Sequence, residues 1–121
     1  FDSYFGTFPG AQGIPMAGGV PAVCIPDPPQ PCQAPYHDTA DVNGGGPHGE
    51  ASAQADVHGG AMDGFIEQAL SGKGKGCTNP NDPACTQSTA TAVDAVGYHT
   101  QAEIPNYWAY ARDFVLDDHM F

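Results

Sequence analysis

The sequence has 121 residues and a formal charge of −11 at pH 7, with fourteen Asp and Glu set against Lys73, Lys75 and Arg112. That surplus disfavours nucleic acid and anionic lipid surfaces as partners, and no apolar run is long enough to cross a bilayer as a transmembrane segment. Leu, Ile, Val and Phe supply about 16% of the chain, below the roughly 20% under which charged chains struggle to close a core, so the composition predicts either partial disorder or a loop-rich stretch that rests on a larger body.

The first ten residues interleave Phe1, Tyr4, Phe5 and Phe8 with small and polar residues, and Pro9-Gly10 then supplies a turn. A short aromatic element is predicted there. Residues 11–47 show neither helical nor strand periodicity and read as one long loop. Pro47 is placed to open a helix carrying Ala51, Ala55 and His58 on one face, interrupted at Gly59-Gly60. A second helix is predicted from Met62, Phe65, Ile66, Ala69 and Leu70, with Ser71-Gly72 as its stop. Residues 72–76 alternate Gly with Lys as an exposed link without P-loop spacing. Residues 92–98 have the composition of a buried strand. Thr100 and Glu103 spell a capping box, and Ile104, Tyr107, Trp108, Ala111 and Phe114 make an amphipathic stripe that leads into the acidic turn Asp117-Asp118-His119.

The four cysteines fall as two local pairs, Cys24 with Cys32 and Cys77 with Cys85, each enclosing seven residues rich in Pro, Asp and Asn. Disulfides are the favoured reading, since zinc ribbons and fingers space their ligands by two to four residues. Closing each loop would stabilise by about 2.5 kcal/mol and would imply an oxidising compartment, secreted or periplasmic. No basic and apolar leader precedes Phe1, so the N-terminus is expected to have been trimmed.

Chemistry-bearing residues are scattered. Thr39, Asp41, Asn43, Gly44 and Glu50 echo a calcium loop with Thr at its first position, but Pro31, Pro35 and Pro47 break its frame and a plain Asn-Gly turn is the simpler reading. His37, His48, His58, His99 and His119 show no HExxH spacing, although His48 and His58 could meet in space. No GxSxG elbow surrounds Ser3, Ser52, Ser71 or Ser88. Asp63 could equally brace a helix or act chemically, and Asp117-Asp118 would bind a metal only with further ligands.

Three stretches together resemble the bacterial phosphoesterase family of acid phosphatases and phosphatidylcholine-type phospholipases C. They are Phe1-Asp2-Ser3-Tyr4-Phe5-Gly6-Thr7-Phe8-Pro9-Gly10, then Gly59-Gly60-Ala61-Met62-Asp63-Gly64-Phe65, then Gly97-Tyr98-His99-Thr100 through Ile104-Pro105-Asn106-Tyr107-Trp108 to Asp118-His119-Met120-Phe121. The resemblance implies an α/β, alkaline-phosphatase-like fold, a central, mostly parallel sheet with helices on both faces. It implies hydrolysis of phosphate esters or phospholipids by a Ser or Thr nucleophile beside a divalent metal ion. A metal-holding Glu-Asn pair is then expected ahead of Phe1, the nucleophile after Phe121 and further ligands later. Residues 1–121 are thus expected to be an incomplete early portion of a catalytic domain, inactive alone, with the remainder of that domain as partner and no metal ligand of their own.

The resemblance also singles out His48, which matches a histidine placed ahead of the Met-Asp-Gly-Phe segment near the phosphate. There it would bind substrate, donating a hydrogen bond to a phosphoryl oxygen or protonating the leaving group; a loop-bracing histidine is the alternative. The phospholipase branch tends to carry Trp two residues later, where this chain has Glu50. A competing reading is a non-catalytic, acidic, disulfide-stapled module that binds calcium or a protein.

Overall fold

The computed structural model describes residues 1–27, 29–40, 47–72 and 95–119. The described residues are mixed α/β, with short helices and three separate two-stranded ladders, and the chain divides into two compact units.

The first unit comprises Phe1–Val23, Ala34–Thr39 and Gly97–Phe121. Its opening aromatic stretch forms α1 (Asp2–Phe5), a single turn in which the Phe1 carbonyl accepts from the Tyr4 and Phe5 amides at 3.0 and 2.9 Å. Phe1, Phe5 and Phe8, spaced at three and four residues, fall on one side and place their rings 5.8 and 6.2 Å apart in succession. The expected loop over 11–47 is corrected here, because the segment holds strands. Met16–Ala17 (β1) and Val20–Pro21 (β2) form an antiparallel hairpin with Met16 opposite Pro21. Gly18 and Gly19 both have positive φ, +61° and +84°, as the tight primed turn between twisted strands demands. Strands this short leave no alternation to read in the sequence.

Tyr36–His37 (β5) and Gly97–Tyr98 (β6) pair in parallel, and the ladder continues as the Asp38 amide donates to the Tyr98 carbonyl at 2.8 Å. Residues 92–94 of the strand expected over 92–98 lie outside the described residues; of 95–98, the last two are strand and both are buried. The final helix, Pro105–Asp113 (α4), begins with Pro105 in the first turn, where its missing N–H costs nothing.

The stripe expected on α4 divides. Trp108 is buried and Ile104 and Ala111 are half-buried, whereas Tyr107 and Phe114 are exposed, Phe114 having left the helix into extended backbone. Trp108 is the anchor. Its indole Nε1–H donates to the Tyr4 carbonyl at 3.0 Å and its ring lies 5.0 Å from that of Phe8. Tyr4 meets Tyr107 edge-on at 5.1 Å, and the His99 amide donates to the Ser3 carbonyl at 2.8 Å. Residues from the first and last of the three motif stretches therefore build one aromatic core, completed by Ile14 and Tyr98.

The second unit comprises Cys24–Gln33 and Ala40–Val96. Ile25–Asp27 (β3) and Gln30–Gln33 (β4) pair antiparallel with an irregular register, Ile25 opposite Gln33 and Asp27 opposite Gln30. Pro26 and Pro31 sit within these strands, which a two-stranded ladder tolerates because every strand in it is an edge. The helix expected after Pro47 starts at Glu50 and ends at Val57 (α2). The expected face of Ala51, Ala55 and His58 is not the one turned inward. Ser52, Ala55 and Asp56 are half-buried while Ala51 and His58 are exposed, because the backbone turns left-handed at His58 (φ 43°, ψ 55°) and leaves the helical path.

A 3-10 turn, His58–Gly60, leads to α3 (Phe65–Gly72). The predicted stripe holds for Phe65, Ile66 and Ala69, with Ile66 fully buried; Met62 lies outside the helix and is exposed. Gly64 allows α3 to start against α2, since a Cβ there would run into the Ala55 carbonyl and the Asp56 backbone.

Candidate functional site

His48 lies two residues ahead of α2 with an exposed side chain, and residues 41–46 beside it, three of the calcium-loop positions among them, lie outside the described residues. The N-terminus of α2 carries no side-chain cap; Gly49 holds the cap position in extended backbone. His58 stands at the opposite end of the same helix. Eight helical residues at about 1.5 Å each set the two ends of α2 roughly 12 Å apart, with His48 ahead of one end and His58 at the other.

His58 is instead joined to Asp63. Its Nδ1 lies 2.7 Å from the Asp63 Oδ1, across the turn made by Gly59, Gly60 and Ala61. Backbone bonds tighten the same turn: Ala61 donates to the His58 carbonyl, Met62 to that of Val57 at 3.0 Å, and Gly64 to that of Asp56 at 3.2 Å. Asp63 thus braces the start of α3 through a histidine, which its sequence neighbours gave no means of telling. One oxygen of Asp56, Oδ1, is buried without a hydrogen-bond partner among the described residues.

In the first unit, two histidines flank the parallel strand pair. His37 Nε2 sits 3.0 Å from Glu103 Oε2 and its ring stacks on Tyr98 at 5.8 Å. The His99 Nδ1 lies 2.9 Å from the Asp38 carbonyl oxygen, which fixes its proton on that nitrogen. Glu103 also accepts from the Thr100 amide at 2.7 Å and the Thr100 hydroxyl at 2.8 Å. Together with His37, the largest influence, these donors hold its carboxyl down at about 2, below the ordinary 4.5.

The capping box is therefore half realised. Glu103 returns to the Thr100 amide, but the Thr100 hydroxyl accepts from Ala102 at 3.3 Å, and the box closes a turn ahead of α4. Ile104 is the N-cap residue because the following Pro105 disfavours helical backbone there. Asp118 accepts from the Gln12 amide at 2.6 Å, which lowers its pKa, and Asp117 accepts from the His119 amide at 3.3 Å. Asp118 thus tethers distant segments of the first unit, while Asp117 closes a local turn.

Cys24 and Cys32 are bonded to each other, which rules out a zinc site on that pair; Cys77 and Cys85 lie outside the described residues. Among the described residues no group of three or more His, Cys, Asp and Glu side chains is placed to hold a metal ion. Among the same residues no helix is long and apolar enough to cross a membrane.

The model of the phosphoesterase family matches residues 1–121. No curated protein and no solved structure matches the chain. The three motif stretches supply the aromatic core of one unit and the α2–α3 turn of the other, and the family match runs across all of them; the chain belongs to the phosphoesterase family, whose chemistry is the hydrolysis of phosphoric esters.

Proposed function

We propose that residues 1–121 are the early portion of the catalytic domain of a phosphoric-ester hydrolase of acid phosphatase or phospholipase C type. The observation that carries this reading is the family match over the whole chain. The parallel pairing of β5 with β6 supports assigning that pair to the central sheet of an alkaline-phosphatase-like sandwich. The Cys24–Cys32 disulfide supports a secreted or periplasmic protein. In this reading the nucleophile and the ligands of a divalent metal come from elsewhere in the protein, and the substrate is a phosphate ester or phospholipid.

Within this scheme His48 contacts the phosphoryl group. Its exposure and its place ahead of an uncapped helix N-terminus leave the imidazole free to donate to a phosphoryl oxygen. Replacing His48 with Ala in the full-length protein should lower kcat/KM for phosphate esters by about 10²-fold or more. Unchanged turnover would reduce His48 to a loop residue.

A further inference from the structure

Four of the five residues from His58 to Met62 have positive φ, and two of them are not glycine: His58 at 43° and Met62 at 56°. A side chain in that region is strained, and such strain persists only where the surroundings over-determine it, commonly at a functional site. The bond that holds this turn is also the one that prepares an imidazole for proton transfer. With Nδ1 committed to the Asp63 carboxylate at 2.7 Å, the tautomer and ring direction of His58 are set and Nε2 is the nitrogen left for a substrate. The ring is 73% exposed while Asp63 is 34% exposed, so the carboxylate sits behind and the imidazole stands forward. None of the other four histidines is prepared this way. His37 is held through Nε2, His99 by a carbonyl, His119 lies 3.7 Å from the carboxylate next to it in sequence, and His48 shows no such carboxylate among the described residues.

We infer that His58, oriented by Asp63, is a second acid–base group of the enzyme and protonates the leaving alcohol of a phosphate ester. This rests on the phosphoester-hydrolase reading above. In the step, the bond between phosphorus and the ester oxygen breaks and its electron pair stays on that oxygen, which takes the Nε2 proton and departs as the alcohol. Phosphorus gains a bond to the attacking Ser or Thr oxygen, whose proton passes to solvent; that bond breaks when water attacks phosphorus, and the departing side-chain oxygen takes a proton back from solvent. The water consumed when phosphate is released returns a proton to Nε2, and Asp63 keeps Nδ1–H throughout. Asp63 is a positioning residue, since it acts through His58.

The test compares two esters that differ in their need for a proton, p-nitrophenyl phosphate, whose phenolate leaves unaided, and glycerol phosphate, whose alkoxide does not. His58→Asn is the variant of choice, because Asn tolerates left-handed backbone and keeps the turn while removing the proton donor. In the full-length protein it should lower kcat/KM for glycerol phosphate by about 10²- to 10⁴-fold, and for p-nitrophenyl phosphate by less than about threefold. Asp63→Asn should give a smaller loss with the same bias, with far-UV circular dichroism matching the unaltered protein in both cases. Equal losses on the two esters, or none on either, would overturn the role of His58 while leaving the phosphoester reading intact. An unaltered enzyme that hydrolyses neither ester, nor a phospholipid, would overturn both.

Discussion

Replacing Trp108 with Phe probes the joint between the start and the end of the first unit. The indole is 6% exposed and makes two separable contributions, a hydrogen bond to the Tyr4 carbonyl at 3.0 Å and ring packing on Phe8 at 5.0 Å. Phenylalanine preserves most of the packing and removes the donor, which costs about 1 kcal/mol when a part-buried carbonyl loses its partner. The smaller ring leaves roughly 40 Å³ unfilled, and at about 24 cal/mol per Å³ that adds about 1 kcal/mol. Trp108→Phe should therefore destabilise by about 2 kcal/mol, and Trp108→Ala by about 3–5 kcal/mol.

Urea denaturation read by far-UV circular dichroism measures both; fluorescence is unsuitable because the substitutions remove the sole tryptophan of residues 1–121. A double-mutant cycle with Phe8→Leu should return a coupling of about 0.5–1.5 kcal/mol for the ring pair. A cost below about 0.5 kcal/mol for Trp108→Phe, or no coupling to Phe8, would refute the placement of α4 against the first helix.

Acid should act through Glu103. Its carboxyl is held at about 2, below 4.5, so the stability that it contributes is fully present above pH 4.5 and is lost as pH falls from there through about 2. Glu103→Gln should flatten the acid-unfolding profile in that window, and a profile of unchanged slope would show that His37 and Thr100 do not engage the carboxylate. Opening the Cys24–Cys32 bridge by replacing both residues with Ser should cost about 2.5 kcal/mol, read as a shift in urea midpoint. A midpoint that does not move would mean that the nine-residue loop is already closed in the unfolded chain.

Periodic features were readable in the sequence and local backbone geometry was not. Phe65, Ile66 and Ala69 repeat at helical spacing and face inward, and seven residues between Cys24 and Cys32 suit a local bridge. The hairpins around Gly18-Gly19 and inside the disulfide loop escaped because two- to four-residue strands have no measurable alternation, and Pro26 and Pro31 argue against strand. The family-level motifs were legible as a set, and their joint use, rings from residues 1–8 packing on those of residues 98–108, depends on tertiary closure that no local pattern encodes. The His58–Asp63 and His37–Glu103 pairs were hidden for a similar reason. Five residues is not a helical spacing, and sixty-six residues is no spacing at all; only the two glycines after His58 hinted that the chain doubles back there.

The bond between Trp108 and the Tyr4 carbonyl spans 104 residues, and the whole of the second unit falls between those two positions in the sequence. Closing a loop of that length costs about 4 kcal/mol in chain entropy before any ring contact returns it. During synthesis the opening helix has no Trp108 to receive until nearly the whole stretch has emerged, several seconds after it was made at about 5–20 residues per second. Phe8 spends that interval without the ring it packs on, which leaves the opening aromatic stretch with an uncovered apolar face while the protein folds.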